Sequence, residues 1–152
     1  IALFINLLLY SLVISQSFFY LIALSRTIRS MQALTYIEYR QLIDRHIRVS
    51  LPAVYYLTLS ASIALTALCV VNPGGPLFIA SVIALLALLA DIVVAKTGNE
   101  PLNKTINTWT SGNYPSNWQQ YRSRWFMYYR LRQFLNSLGF IALLAALVFG
   151  IN

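Results

Sequence analysis

All eleven Lys and Arg residues of this 152-residue chain fall in two segments, Arg26 to Arg48 and Lys96 to Arg132. Four apolar stretches flank those segments, at about 1–25, 49–71, 77–95 and 134–151. A bilayer core of roughly 30 Å takes about 20 helical residues, so each stretch is long enough, or nearly so, to cross once. Lipid offers no partner to backbone N–H and C=O groups, and the stretches lack the strict alternation of barrel strands, so the spans must be helical. If each crosses once, both basic segments lie on one side of the membrane. By the positive-inside rule that side is the cytoplasm. Both termini and the turn Asn72-Pro73-Gly74-Gly75-Pro76 then lie outside. The expected fold is a single all-α membrane domain over 1–152, a four-transmembrane-helix bundle with amphipathic helices in cytoplasmic segments 26–48 and 96–133.

Composition agrees. The chain is 59% apolar and only 10% charged, whereas about 25% of residues in a soluble domain are charged. The net charge of +7 is confined to juxtamembrane segments, where topology and anionic headgroups account for it. Membrane lipids are therefore expected partners and nucleic acid is not. The leading apolar run is too long for a signal-peptide core and has no small-residue cleavage site, so it is read as a span that stays. Cys69 is the only cysteine and cannot form an intrachain disulfide.

Polar residues inside the spans need partners. Gln16, placed near mid-bilayer, should face another helix, a water pocket or a ligand, because an unpaired amide at that depth is costly. Asp91 lies about one turn inside the end of the third span and must be paired or protonated. Either it pairs with a basic residue of another segment, or it handles protons in a cavity. The hydroxyls of the first two spans read as close-packing and hydrogen-bonding positions between helices.

In the first basic segment Tyr36, Tyr39, Ile43 and Ile47 recur at helical spacing, and Arg40, Asp44 and Arg48 form an i, i+4 charge ladder on another face. His46 falls near Tyr39 and Ile43 on the wheel. It reads as an interhelix hydrogen-bonding residue, or else as a general base or a haem or quinone contact. Pro52 is expected in the first turn of the second span. In the second segment Gly98 and Pro101 are expected to end the third span. Asn103 would then cap a short helix through Trp109, and Ser116 or Asn117 would cap another beginning at Trp118. Trp118, Arg122, Trp125, Tyr129 and Arg132 share one face of that last helix. Such a stripe should pack against something, as an aromatic belt with basic anchors or as a roof of Arg122 and Arg132 over a pocket.

The run Asn99-x-Pro101-Leu102-Asn103, then Trp109, then Trp118-x3-Arg122-x-Arg124-Trp125-x6-Arg132, resembles the signature of the DUF1772 family of anthrone-oxygenase-like membrane proteins. Four spans with a long loop before the last also match. The resemblance implies motif positions at Asn99, Pro101, Asn103, Trp109, Arg122, Trp125 and Arg132. It also implies an activity like that of fungal enzymes that oxidise an anthrone to an anthraquinone with dioxygen and no recognised cofactor. Such chemistry needs a base, a cation near the developing oxyanion and a dry aromatic pocket. The candidate bases are His46, Asp91 and Glu100, the cations Arg122 and Arg132, and the aromatic walls Trp109, Trp125 and Tyr129. Gln16, Asn99 and Asn103 join the walls as substrate-binding candidates.

No cofactor is expected. Four scattered acids and one His do not supply a di-iron site, and no phosphate loop or Gly-x-Gly-x-x-Gly is present. The reading is an oxidation of a small aromatic or quinol-like substrate in a cytoplasm-facing pocket, with a hydrophobic aromatic or quinone ligand. The alternative is a non-catalytic accessory or assembly subunit of a larger respiratory or photosynthetic membrane complex. A homo-oligomer is a further arrangement compatible with either.

Overall fold

The computed structural model describes residues 1–150. The end of the fourth apolar stretch at 151 lies outside the described residues. Helix α1 (Ala2–Phe19) runs through a π-helical turn (Tyr20–Leu24) into α2 (Ser25–Ser30). Helix α3 (Ala33–Cys69) follows, then α4 (Pro76–Val94), a second π-helical turn (Ala95–Asn99), α5 (Glu100–Ile106) and α6 (Trp118–Phe149). The four continuous helical runs are 29, 37, 31 and 32 residues long and apolar enough to cross a membrane. Each exceeds the 20 or so residues a bilayer needs, and the surplus projects at one end, where the basic segments lie.

Four local expectations are corrected. Pro52 does not open a span: the charge-ladder segment and the second apolar stretch fuse into one helix, so Pro52 lies inside α3. Without an N–H it leaves the Arg48 carbonyl unbonded within the helix, at a height where the Arg48 side chain is exposed. Gly98 and Pro101 do not end the third helix either. A π-helical turn carries the chain past them, and Pro101 falls in the first turn of α5, where a missing N–H costs least. Asn103 is consequently inside a helix, not at its cap, and its amide is available for tertiary bonds. Helix α6 does begin at Trp118, but no side-chain cap bond forms there; instead the Trp118 N–H reaches the Pro115 carbonyl at 3.0 Å.

In the bundle α1 and α4 each pack on α3 and α6, with α4 against α6 the most extensive contact. Short connections make neighbours antiparallel. Ala80, Ala84, Ala87 and Asp91 form a buried stripe on α4, and Gly139, Leu143 and Ala146 are buried on α6. Small residues let transmembrane backbones approach. At Gly139 the approach is closest, since a Cβ there would collide with the Tyr10 hydroxyl, which donates to the Ala84 carbonyl at 3.0 Å.

Two cores result. The apolar half packs Leu3, Tyr10, Val13, Leu65, Leu88 and Leu143. The basic end has its own, largely aromatic core of Tyr20, Ile28, Tyr36, Ile106, Trp125 and Phe126. Gln41 of α3 ties this end together by donating to the Ile106 and Trp109 carbonyls at 3.0 and 2.9 Å, which joins α3 to the end of α5 and the turn after it.

Candidate functional site

Where the two cores meet, a cavity of about 620 Å³ opens among all four helical runs. Seven of the residues proposed from sequence line it: Gln16, Asn99, Glu100, Asn103, Trp125, Tyr129 and Arg132. Both π-helical turns face it, the first through Tyr20 and Leu24, the second through Ala95, Lys96 and Asn99. Such wide turns recur at functional sites because they re-aim side chains that a regular helix would stack. Its lining mixes apolar side chains such as Phe19 and Leu51 with the charged Arg48, Lys96 and Lys104.

Asn103 is the hub of the polar wall. Its carbonyl oxygen accepts from Arg40 Nη2 at 2.7 Å and from the Trp125 indole N–H at 2.9 Å. Its amide donates to Asp44 at 3.1 Å, and Asn107 donates to the other oxygen of the same carboxylate at 2.8 Å. The Arg40 guanidinium lies 4.1 Å from the centre of the Trp125 ring, and Tyr129 stacks on Trp125 with centroids 4.8 Å apart and planes 15° from parallel. Tyr20 meets Tyr129 edge-on at 4.4 Å. Asn99 donates to the Trp125 carbonyl at 3.1 Å. The ring of Trp125 is thereby fixed by its own N–H, by its backbone and by its neighbours.

A second polar cluster forms around Asp91 of α4 and Arg132 of α6. Asp91 is fully buried and accepts from Arg132 Nε at 2.6 Å. Arg132 also donates to the Tyr55 hydroxyl at 3.0 Å, which accepts longer bonds of 3.4 Å from Gln16 and Asn136. Asp91 therefore stands behind Arg132 and does not line the cavity. The pairing with another segment, one of its two sequence readings, is what the geometry shows. The carboxylates that do line the cavity are Asp44 and Glu100. Glu100 holds Lys96 and Lys104 at 3.0 Å each, and those hydrogen bonds keep its carboxyl below the usual range.

The remaining sequence candidates lie elsewhere. His46 is exposed on α3 and outside the cavity. Arg122 donates to the Ile28 and Met31 carbonyls at 3.3 and 3.0 Å and lies over Trp118 and Tyr36. It fastens the turn between α2 and α3. Trp109 is buried edge-on against Tyr121, with ring centroids 5.1 Å apart. Sequence reading missed Arg40, Asp44, Tyr20, Tyr39 and Tyr55 as cavity residues. For Arg40 a signal existed: it stands one turn after Tyr36, so it shares the face that buries Tyr36 and Ile37.

Several buried polar atoms around the cavity lack a hydrogen-bond partner among the described residues: the Tyr20 hydroxyl, Arg40 Nε and the Asn99 carbonyl oxygen. Each orphan costs about 1–3 kcal/mol. They are three of the six such atoms among the described residues, the others being the Tyr36 hydroxyl, Asp91 Oδ2 and Asn136 Oδ1 outside the cavity lining, and a molecule bound in the cavity would relieve the cost of those three.

Fold and site together define an all-α membrane protein with a cavity at the boundary between its apolar and basic halves. No protein-family model, curated protein sequence or solved structure matches this chain.

Proposed function

We propose that this chain is a membrane enzyme that takes an oxygenated aromatic or quinol-like molecule into the boundary cavity and oxidises it with dioxygen, without a cofactor. The positive-inside rule sets the basic end on the cytoplasmic side. The observation that carries the reading is the convergence of Trp125, Tyr129, Asn103, Arg40 and Arg132 on one cavity that apolar side chains also line. Aromatic faces suit a flat ring system. The two guanidiniums suit an oxygen on which negative charge develops.

In the proposed reaction a carboxylate removes a proton from an activated ring CH2, leaving an enolate whose oxygen is stabilised by Arg40 or Arg132. The enolate gives one electron to dioxygen, the two radicals combine to a hydroperoxide, and loss of water leaves a carbonyl. The balance is one CH2 and one O2 converted to one C=O and one H2O. Asp44 and Glu100 are the cavity-lining carboxylates, and Asp91 acts on the site by orienting Arg132.

The test uses the purified protein in nanodiscs with a hydroxylated anthrone as probe, following oxygen uptake and quinone absorbance together. Oxygen uptake equal to quinone formed, and lost in Asp44→Asn or Glu100→Gln with folding retained, is the expected result. Full activity in both variants would remove the base assignment. No uptake, combined with native mass spectrometry that releases the chain only inside a hetero-complex, would replace the enzyme by an accessory subunit.

A further inference from the structure

Arg40 is 5% exposed, lines the cavity, and makes no ion pair within 4.0 Å among the described residues. Its neighbours offer partial compensation only: the Asn103 carbonyl oxygen, the face of Trp125, and Asp44 one residue removed through the Asn103 amide. Its Nε is buried without an acceptor. A buried cation is ordinarily paired, because desolvating it unpaired is expensive. Arg132, the other guanidinium at this cavity, obeys that rule through Asp91. The remaining charges do not repair the deficit. Glu100 is engaged by two lysines, and Asp44 is shared with Arg48 at 3.5 Å. The titratable phenols near Arg40 are Tyr20, Tyr36, Tyr39 and Tyr129, and burial pushes the Arg40 guanidinium itself below its ordinary value against the opposing effect of the first three and of Asp44.

We propose that the cavity recognises an oxyanion carried on an apolar body, and that Arg40 is the residue that binds it, over the ring of Trp125. This inference rests on the cavity being a ligand site and narrows its ligand from neutral aromatics to phenolates, enolates or carboxylates. The apolar body lies against the edge formed by Phe19, Leu51 and Tyr56. The Arg40 fork supplies directed N–H donors to the oxyanion, which a lysine ammonium reproduces in charge but not in geometry.

The experiment compares 2-naphthoate, 2-naphthamide and dodecanoate, titrated onto the full chain in nanodiscs of zwitterionic phosphatidylcholine and read by tryptophan fluorescence. Naphthoate is expected to bind about tenfold or more tighter than naphthamide. In Arg40→Gln that preference should vanish while naphthamide affinity stays within about twofold; Arg40→Lys should keep part of it. Equal affinity of acid and amide for the unaltered protein overturns the proposal without any variant, as does a preference that survives Arg40→Gln. If dodecanoate alone binds, with the same dependence on Arg40, the oxyanion site stands and the aromatic reading falls, which makes the ligand a lipid. If none of the three binds, the cavity is not a ligand site and both readings fall.

Discussion

Replacing Asp91 by Asn removes the charge that holds the Arg132 guanidinium inside the bundle. The two side chains are 0% and 12% exposed and meet at 2.6 Å, so the Asp91 carboxylate is sealed from water and Arg132 reaches it only through the cavity. Breaking a buried pair by removing one partner costs about 3–5 kcal/mol. Arg132 retains its bond to Tyr55 at 3.0 Å, so Asp91→Asn belongs at the lower end, about 3 kcal/mol. Arg132→Met strands a fully buried carboxylate and belongs at the upper end, about 5 kcal/mol. The double variant, with no charge left to bury, should recover to within about 1–2 kcal/mol of the unaltered chain. Reversible unfolding in mixed micelles, followed by tryptophan fluorescence, supplies all four corners of the cycle. On these figures the coupling, the two single losses less the double loss, should be about 6–7 kcal/mol. Additive single losses, or a neutral Asp91→Asn, would refute the reasoning, because an ion pair that holds α4 to α6 cannot be dispensable one partner at a time.

Gly139→Ala places a methyl against the Tyr10 hydroxyl and should destabilise by about 1–3 kcal/mol; Tyr10→Phe in the same chain should relieve part of that loss, which the same unfolding assay measures. Arg122→Ala removes two donors to the Ile28 and Met31 carbonyls, so hydrogen exchange should accelerate around the α2–α3 turn and Arg122→Lys should rescue it poorly. Glu100→Gln breaks two exposed lysine contacts and should change stability by less than about 1 kcal/mol. Because the Glu100 carboxyl is held below its usual range, its small contribution is present above the unfolded pKa and is lost as pH falls through the folded one. A melting profile of Glu100→Gln against the unaltered chain from neutral to acid pH should converge at the acid end, and divergence there would contradict the assignment.

Composition and charge placement were enough to determine a helical membrane protein with four crossings and a basic end. Those properties follow from solvent physics acting on long stretches: lipid requires self-satisfied backbone, and charge is excluded from the bilayer core. Helix faces were legible too. The Trp118 to Arg132 stripe packs inward because its period matches the helix, whatever it packs against. Helix ends were less legible, since Gly98, Pro101 and Pro52 are local breakers that tertiary packing and a π-helical turn override. What only the tertiary structure decided is which inward side chains meet. Arg122 and Arg132 are equivalent by sequence, yet one grips a turn and the other a buried carboxylate. Arg40 reads as a rung of a surface ladder, yet the register of α3 against α5 and α6 buries it beside Asn103 and Trp125. Periodicity determines the face a residue occupies; the partner on that face depends on interhelical register, which no single helix encodes.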